Sequence, residues 1–543
     1  MFIRTKPIAN SSRKRVQICA CFRIGDKVKQ KVVRHVGIAE NDTHLEELRK
    51  LAEALKKKIH EEKEGPFFFE IEEKESPHDI QETDSVILET SEKTLVNIDS
   101  LKEESRVVDG FHDIFGTLFN QLGFHRILSK KQGDVLRDVV LARIASPSSK
   151  LATQQILAAD FGRDIELDRI YRMMDSLIEQ KEAVQKAVFS STAQLCYDKI
   201  DFLLFDVTTL FFESTSEDDL RAFGYSKDQK FHTVQVVLAL ATASNGLPIG
   251  YHLFPGNTAD VSTLISSIEN WKNILPVGEI RIVADRAMMS EKNLRFLEEK
   301  KIGYVVAAKL KKLPKIVREK ITECSKDKSG LVFDELIEER RLLVTFCQSR
   351  QAKDEKDRLR ILEKIQKKIG KGRNAKKLVS NTGYQKFLSC NGEAELFVDD
   401  EKITQDTIWD GFHGIITNCT KDKAEDLLTH YKRLWVIEES FRIQKHNLAV
   451  RPIYHFKPER IEAHILICYM AFALMRHLEF RVSIQKEKIS MTEMRKELWR
   501  VQSSYLIDLE TKKRYRLPST MNVTAKKLYQ VMGIKRIQTV NEM

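Results

Sequence analysis

Near residue 200 the hydrophobic pattern changes period, and that change constrains the fold more than any other feature of the chain. From about 107 to 197 apolar residues recur at helical spacing, as in DVLRDVVLARIASPSSKLATQQIL and RIYRMMDSLIEQKEAVQKAVF. Then comes IDFLLFDVTTLFFEST (200–215), a nearly unbroken apolar run with Asp206 in its middle. A run of this kind reads as a buried strand. Burying an unpaired carboxylate costs roughly several kcal/mol. Asp206 is therefore either a satisfied core aspartate or part of a site.

The segments that follow extend the strand reading. KFHTVQVVLALATAS (230–244) and LPIGYHLFPGN (247–257) flank an Asn245-Gly246 turn. A helix (258–274) leads to EIRIVAD (279–285), a strand that closes on a second carboxylate, Asp285. Another helix (290–301) and the strand GYVVAAKL (303–310) complete the order β, β, β, α, β, α, β. Short turns make the first three strands antiparallel, and crossover helices make the later ones parallel. The expectation is an α/β fold with a ribonuclease-H-like mixed sheet.

With 543 residues, about three domains are expected. The reading divides the chain into a basic β-hairpin and charged helix (1–64), an acidic linker (65–95), a helical DNA-binding or dimer domain (96–199), the first part of the core (200–310), a largely β insertion (311–424), the second part of the core (425–485) and a basic C-terminal region (486–543). ERIEAHILICYMAFALMRHLEF (459–480) is an apolar helix expected to pack on the sheet, because charged residues and histidines punctuate it too often for a membrane span. No secretory signal is read at the N-terminus. The eight scattered cysteines, without a CxxC pair, argue for reduced thiols and against structural zinc.

Net charge is +11, and its distribution says more than its total. Residues 1–34 carry ten Lys and Arg against one acid, residues 350–377 twelve against four, and residues 511–536 eight against none. Residues 65–95 reverse the bias, with nine acids and two lysines. Three separate basic surfaces suit a polyanion; the alternative is solvated faces and tails.

Asp206 and Asp285 sit on strands that this order makes neighbours, and a third acid is expected from a later helix. Glu438 is the candidate. In AEDLLTHYKRLWVIEESFRIQKH (424–446), Tyr431, Glu438 and Lys445 recur every seven residues, so one continuous helix would put all three on one face. Arg442 lies one turn beyond Glu438, and Glu439 points elsewhere. Carboxylates suit hard divalent cations, and the flanking polar groups suit phosphate oxygens. The plain alternative is a solvated helix with Glu–Arg pairs. Arg286, after Asp285, is a candidate phosphate contact or a salt-bridge partner. Trp409 could stack on an extruded base or serve the core. Thr208 and Thr209 suit a strand. His232, His413 and His446 lack metal-ligand spacing and are read as structural.

FDVTTL around Asp206, PGNTAD (255–260), VADRAM around Asp285 and YKRLWVIEESFRIQK (431–445) together resemble bacterial insertion-sequence transposases of the DDE class, in the branch with a Tyr-Arg-Glu-Lys signature. The resemblance covers roughly residues 100–480. It implies a metal-dependent enzyme that cleaves transposon ends and joins them to target DNA by in-line phosphoryl transfer. It assigns Asp206, Asp285 and Glu438 as catalytic and metal-binding acids, holding two Mg²⁺ or Mn²⁺ ions. Tyr431 and Lys445 match the signature's first and last positions. The arginine position holds Leu434, so Lys432 or Arg433 would supply that charge. Implied partners are double-stranded DNA, both inverted-repeat ends and target, and a second copy of the chain in a synaptic homodimer. The implied setting is the bacterial cytoplasm, at the nucleoid, with no membrane partner. A non-catalytic DNA-binding descendant is the main alternative. An aspartyl-phosphate hydrolase is a lesser one, because the antiparallel hairpin disfavours its all-parallel sheet.

Overall fold

The computed structural model describes residues 2–7, 14–24, 27–39, 42, 45, 46, 48–50, 52, 53, 56, 97–196, 200–224, 232–274, 280–288, 290–324, 329–369, 386–390, 396–485 and 489–543. The acidic segment 65–95, the Gly25-Asp26 turn and most of the charged helix at 43–64 lie outside them. Strands β1 (Phe2–Pro7), β2 (Lys14–Ile24) and β3 (Lys27–Ala39) form one antiparallel sheet. Val16 and Ile18 of β2 cluster with Leu45, Leu48, Leu195 and Leu247, which ties this sheet to the rest of the chain.

Strand β4 (Leu101–Val108) is followed by the expected helices, among them Lys130–Ala145, Lys150–Phe161, Leu167–Ile178 and Lys181–Leu195. β4 pairs with β15 (Gln502–Asp508), which pairs in turn with β16 (Arg514–Pro518) and that with β17 (Asn541–Glu542). The C-terminal region thus folds back onto the start of the helical region, with helices Met491–Trp499 and Val523–Met532 beside it.

The large sheet has eight strands. β5 (Phe202–Phe211), β6 (Gln235–Ala243) and β7 (Pro248–Pro255) are antiparallel, and β8 (Arg281–Ala284) and β9 (Gly303–Ala307) join β5 in parallel. These are the pairings the sequence led us to expect. Gly246, at φ +82°, makes the β6–β7 turn, and a Cβ there would lie 1.8 Å from an Arg476 guanidinium nitrogen. The segment 311–424, expected as a largely β insertion, continues the same sheet instead. β10 (Gly330–Ile337), β11 (Arg340–Phe346) and β14 (Phe412–Thr417) add an antiparallel wing beyond β9. Outside that wing it contributes helix Gln348–Ile369, helix Asp400–Thr407 and a short pair, β12 (Leu388–Cys390) with β13 (Leu396–Val398).

Both faces of β5 are covered, which is why its sequence reads as one apolar run. Leu204, Leu210 and Phe212 point into a cluster with Leu466, Met470 and Phe472 of helix Pro458–Ile484. Leu203, Phe205 and Val207 point the other way, toward Leu264 and Ile268 of helix Asp260–Ile274 and Leu294 and Leu297 of helix Glu291–Glu299. Helix Pro458–Ile484 is long and apolar enough to cross a membrane, but here it is a core helix, with 89% of its most apolar window buried.

Candidate active site

Asp206 is the only residue between Phe202 and Leu210 that is not buried. Alternation puts its side chain on the face of Leu204 and Leu210. The β5–β8 register ends at Phe205 opposite Ala284, and the next residue on each strand is a carboxylate, Asp206 and Asp285. The two acids are therefore neighbours at one end of a parallel pair. Each is held locally in the same way. The Val207 N–H donates to Asp206 Oδ1 at 2.8 Å, and the Arg286 N–H donates to Asp285 Oδ1 at 2.6 Å.

Helix Trp435–Arg442 packs across β5 and β6 on this face, with Ile437 and Phe441 in the same apolar cluster as Leu204 and Leu240. That packing presents Glu438 to the space above the two aspartates. Asp206, Asp285 and Glu438 all line one cleft of about 1570 Å³. Glu439 faces away and is engaged by Arg442 at 3.3 Å and Arg476 at 3.9 Å. So the two adjacent glutamates separate by environment: Glu438 opens to the cleft, and Glu439 belongs to an arginine cluster.

The continuous helix expected over 424–446 is not formed. Helix Ala424–Lys432 ends at Arg433, and the next turn tightens, with Val436 N–H donating to Arg433 O and Ile437 N–H to Leu434 O. Beyond Arg442 the turn widens, with Leu448 N–H donating to Ile443 O. Val436 and Ile437, just after the break, lie in the apolar cluster, and Leu434 packs against it. Tyr431 and Glu438 still share the cleft despite the break, but Lys445 does not line it. Neither do Arg433 and Arg442; Arg433 is exposed elsewhere, and Arg442 pairs with Glu439. Lys432, Arg286 and Trp409 do line it, with Trp409 also packed edge-on against Phe412 at 6.4 Å. Leu434 borders the cleft and packs against the core, and of its charged neighbours Lys432 lines the cleft while Arg433 does not.

Two of the lining residues that the sequence did not mark bear on Tyr431. His413, read as structural, is in the cleft, its ring 5.1 Å from that of Tyr431. Arg350, at the start of helix Gln348–Ile369, reaches the same space. Burial, with Asp285 nearby, pushes the Tyr431 phenol up to about 12, so it stays an O–H donor. Burial beneath the charges of Arg350, Arg286 and Lys432 lowers His413 to about 4. Residue periodicity could not have found either one, since each arrives from the wing or helix that the sheet brings alongside.

On the far wall of the cleft some of the basic groups are paired internally. Arg358 forms a buried ion pair with Asp410 at 2.6 Å, and Lys386 pairs with Asp406 at 2.6 Å. The carboxylates near the sheet offer hard oxygen donors, the type that suits Mg²⁺ or Mn²⁺. Among the described residues, however, no group of three or more His, Cys, Asp or Glu side chains is close enough together to hold a metal ion. Donor chemistry fits a divalent cation; a closed ligand set is not formed.

No curated protein sequence matches the chain. Among solved structures, a cryo-EM structure of a piggyBac transposase synaptic complex with hairpin DNA aligns at 10% identity with a TM-score of 0.36, over 72% of this chain and 77% of that one. The transposase DDE domain family matches residues 197–474, a span that includes all three acids, His413 and Arg350. The chain belongs to the DDE-domain transposases.

Proposed function

We propose that Asp206, Asp285 and Glu438 are the catalytic acids of a ribonuclease-H-like DNA transposase in the Tyr-Arg-Glu-Lys branch. The observation that carries this is the register of β5 and β8, which sets Asp206 beside Asp285 under the helix that bears Glu438. The order β7-β6-β5-β8-β9 within the large sheet supports the fold reading.

The substrate is double-stranded DNA at the transposon ends, then at the target. Water attacks phosphorus at the end, the P–O3′ bond breaks, and a 3′-hydroxyl is released. That 3′-oxygen then attacks a target phosphorus and expels the target's own 3′-oxygen. A pair of Mg²⁺ or Mn²⁺ ions, when bound, stabilises charge on the attacking and leaving oxygens, and the three acids are the residues that would hold them. Lys432 and Arg286 bind phosphate oxygens and fix the backbone in the cleft. Tyr431, un-ionised, donates its O–H to a phosphate oxygen. Trp409 stands where a displaced base could stack. Two copies of the chain would pair the two ends.

Strand cleavage on labelled DNA carrying the element's ends, with Mg²⁺ or Mn²⁺, tests the reading. Wild type should nick the ends, while Asp206→Ala, Asp285→Ala and Glu438→Ala should bind them without nicking. End binding with no cleavage by wild type would leave a DNA-binding protein derived from a transposase.

A further inference from the structure

The imidazole of His413, which lines the cleft, has no part in the scheme above. His413 is held rigidly. It lies inside β14, opposite Thr345 of β11, and its carbonyl accepts the Thr345 hydroxyl at 3.3 Å. The flanking Phe412 and Gly414 are buried. At Gly414 a Cβ would come 2.4 Å from Leu310 Cδ2, so the strand is pressed closely against its neighbour there. Tyr431 is in the opposite situation. It is the penultimate residue of helix Ala424–Lys432, immediately before the tightened turn. Its phenol lies within electrostatic reach of both Asp285 and Glu438. A tyrosine at a helix end has two side-chain torsions to fix, and the helix fixes neither of them completely.

We propose that His413 is a positioning residue for DNA cleavage: its ring, packed 5.1 Å from that of Tyr431 on a rigid strand, holds the tyrosine phenol between Asp285 and Glu438 so that the O–H meets a phosphate oxygen of the bound end. This rests on the reading of Asp285 and Glu438 as catalytic. The charged groups facing His413 are Arg350, Asp285, Arg286 and Lys432. Three cations against one acid, together with burial, keep the imidazole neutral, so it serves as an aromatic plate. A plate from a strand and a phenol from a helix end make one unit, and loss of the plate loosens the phenol. Misplacing a contact by about 1 Å can cost up to about 100-fold in rate.

Single-turnover nicking of labelled end DNA, at saturating and limiting enzyme, tests this with His413→Ala, His413→Phe, Tyr431→Phe, His413→Ala combined with Tyr431→Phe, and Asp285→Ala. His413→Ala should slow nicking about 10- to 100-fold at saturation, with end affinity changed less than about threefold. His413→Phe, which keeps the plate, should recover most of the rate. Adding His413→Ala to Tyr431→Phe should cost little more than either change alone. The proposal is overturned if His413→Phe is as slow as His413→Ala, because the imidazole nitrogens would then matter. It is overturned equally if the two effects multiply, or if His413→Ala cuts at the wild-type rate. Nicking by Asp285→Ala at full rate would instead sink the catalytic reading beneath it.

Discussion

The cleft and the junction around Lys150 are both dense in ionisable groups, yet they treat charge in opposite ways. In the cleft, Asp285 and Glu438 are exposed and Asp206 is half-buried, so these three carboxylates remain open to solvent. At the junction, Lys150 is buried where helix Lys150–Phe161 meets helix Pro458–Ile484, its Nζ 3.1 Å from His464 Nδ1. Arg143 is buried nearby and donates to the Ser148 carbonyl at 2.6 Å. Burial, with Arg143's charge beside it, pulls Lys150 down to about 7, and burial drives His464 well below its usual range. The three carboxylates on β5, just after β8 and on helix Trp435–Arg442 stay open to solvent. Groups that only join helices are buried and tend to give their charge up.

The sharpest way to break that contrast is to remove charge from the cleft. Asp206→Asn and Asp285→Asn should each lower end nicking by about 10³-fold or more, while thermal melting stays within a few degrees of wild type. A large loss of melting temperature with retained nicking would make these acids structural, like the junction groups.

The paired glutamates test the same contrast one residue apart. Glu438→Gln should abolish detectable nicking with end binding intact. Glu439→Gln should keep cutting and lose less than about 1 kcal/mol of stability, measured by denaturant titration, because its arginine pairs are partly exposed. Equal catalytic losses would mean that the helix, rather than Glu438, is what matters.

How much of this was legible varies with the physics of each element. β5 through β9 and their crossovers were readable, because buried strands and the Asn245-Gly246 turn leave strong local patterns. Asp206 stood out as a carboxylate inside an apolar run and Asp285 as one closing a strand, whereas Glu438 rested on its spacing to Tyr431 and Lys445 and on the family resemblance; all three line one cleft. β4 was not: LKEESRVV is mostly exposed, and it is a strand because β15, four hundred residues on, pairs with it. The break at Arg433–Leu434 was hidden because every residue around it can extend a helix, and only packing against the sheet decides the turn. Lys432, just before the break, lines the cleft, while Arg442 and Lys445, beyond it, do not. His413 and Arg350 were illegible for a related reason, since His413 enters the site on β14 of the wing and Arg350 on the helix that follows β11.

Lys432 gives a smaller, graded effect. Lys432→Ala should weaken binding to end DNA and to unrelated duplex alike, and lower the slope of log K against log salt by about one. Nicking at saturating enzyme should change much less than for the acids. A loss confined to end DNA would make Lys432 a base reader and return phosphate gripping to Arg433.

The junction offers the last and smallest effect, visible in stability rather than cleavage. The folded chain holds Lys150 at about 7, whereas an unfolded chain keeps lysine protonated to about 10.4. Between those values the unfolded state binds more protons at this site, so its contribution to stability must rise with pH across that window. Below about pH 7 both states are protonated, and the cost of the buried charge is constant. Lys150→Met removes the site from the balance, although it also takes away His464's partner. The sign of the melting-temperature difference at one pH therefore mixes two terms, but its change with pH reports the lysine alone. Wild type should gain on Lys150→Met steadily from pH 7 to pH 9.5 in matched thermal melts, with end nicking the same in both. A difference that stays flat across that range would mean Lys150 keeps its charge in the fold, and the contrast with the hydrated cleft would then rest on the carboxylates alone.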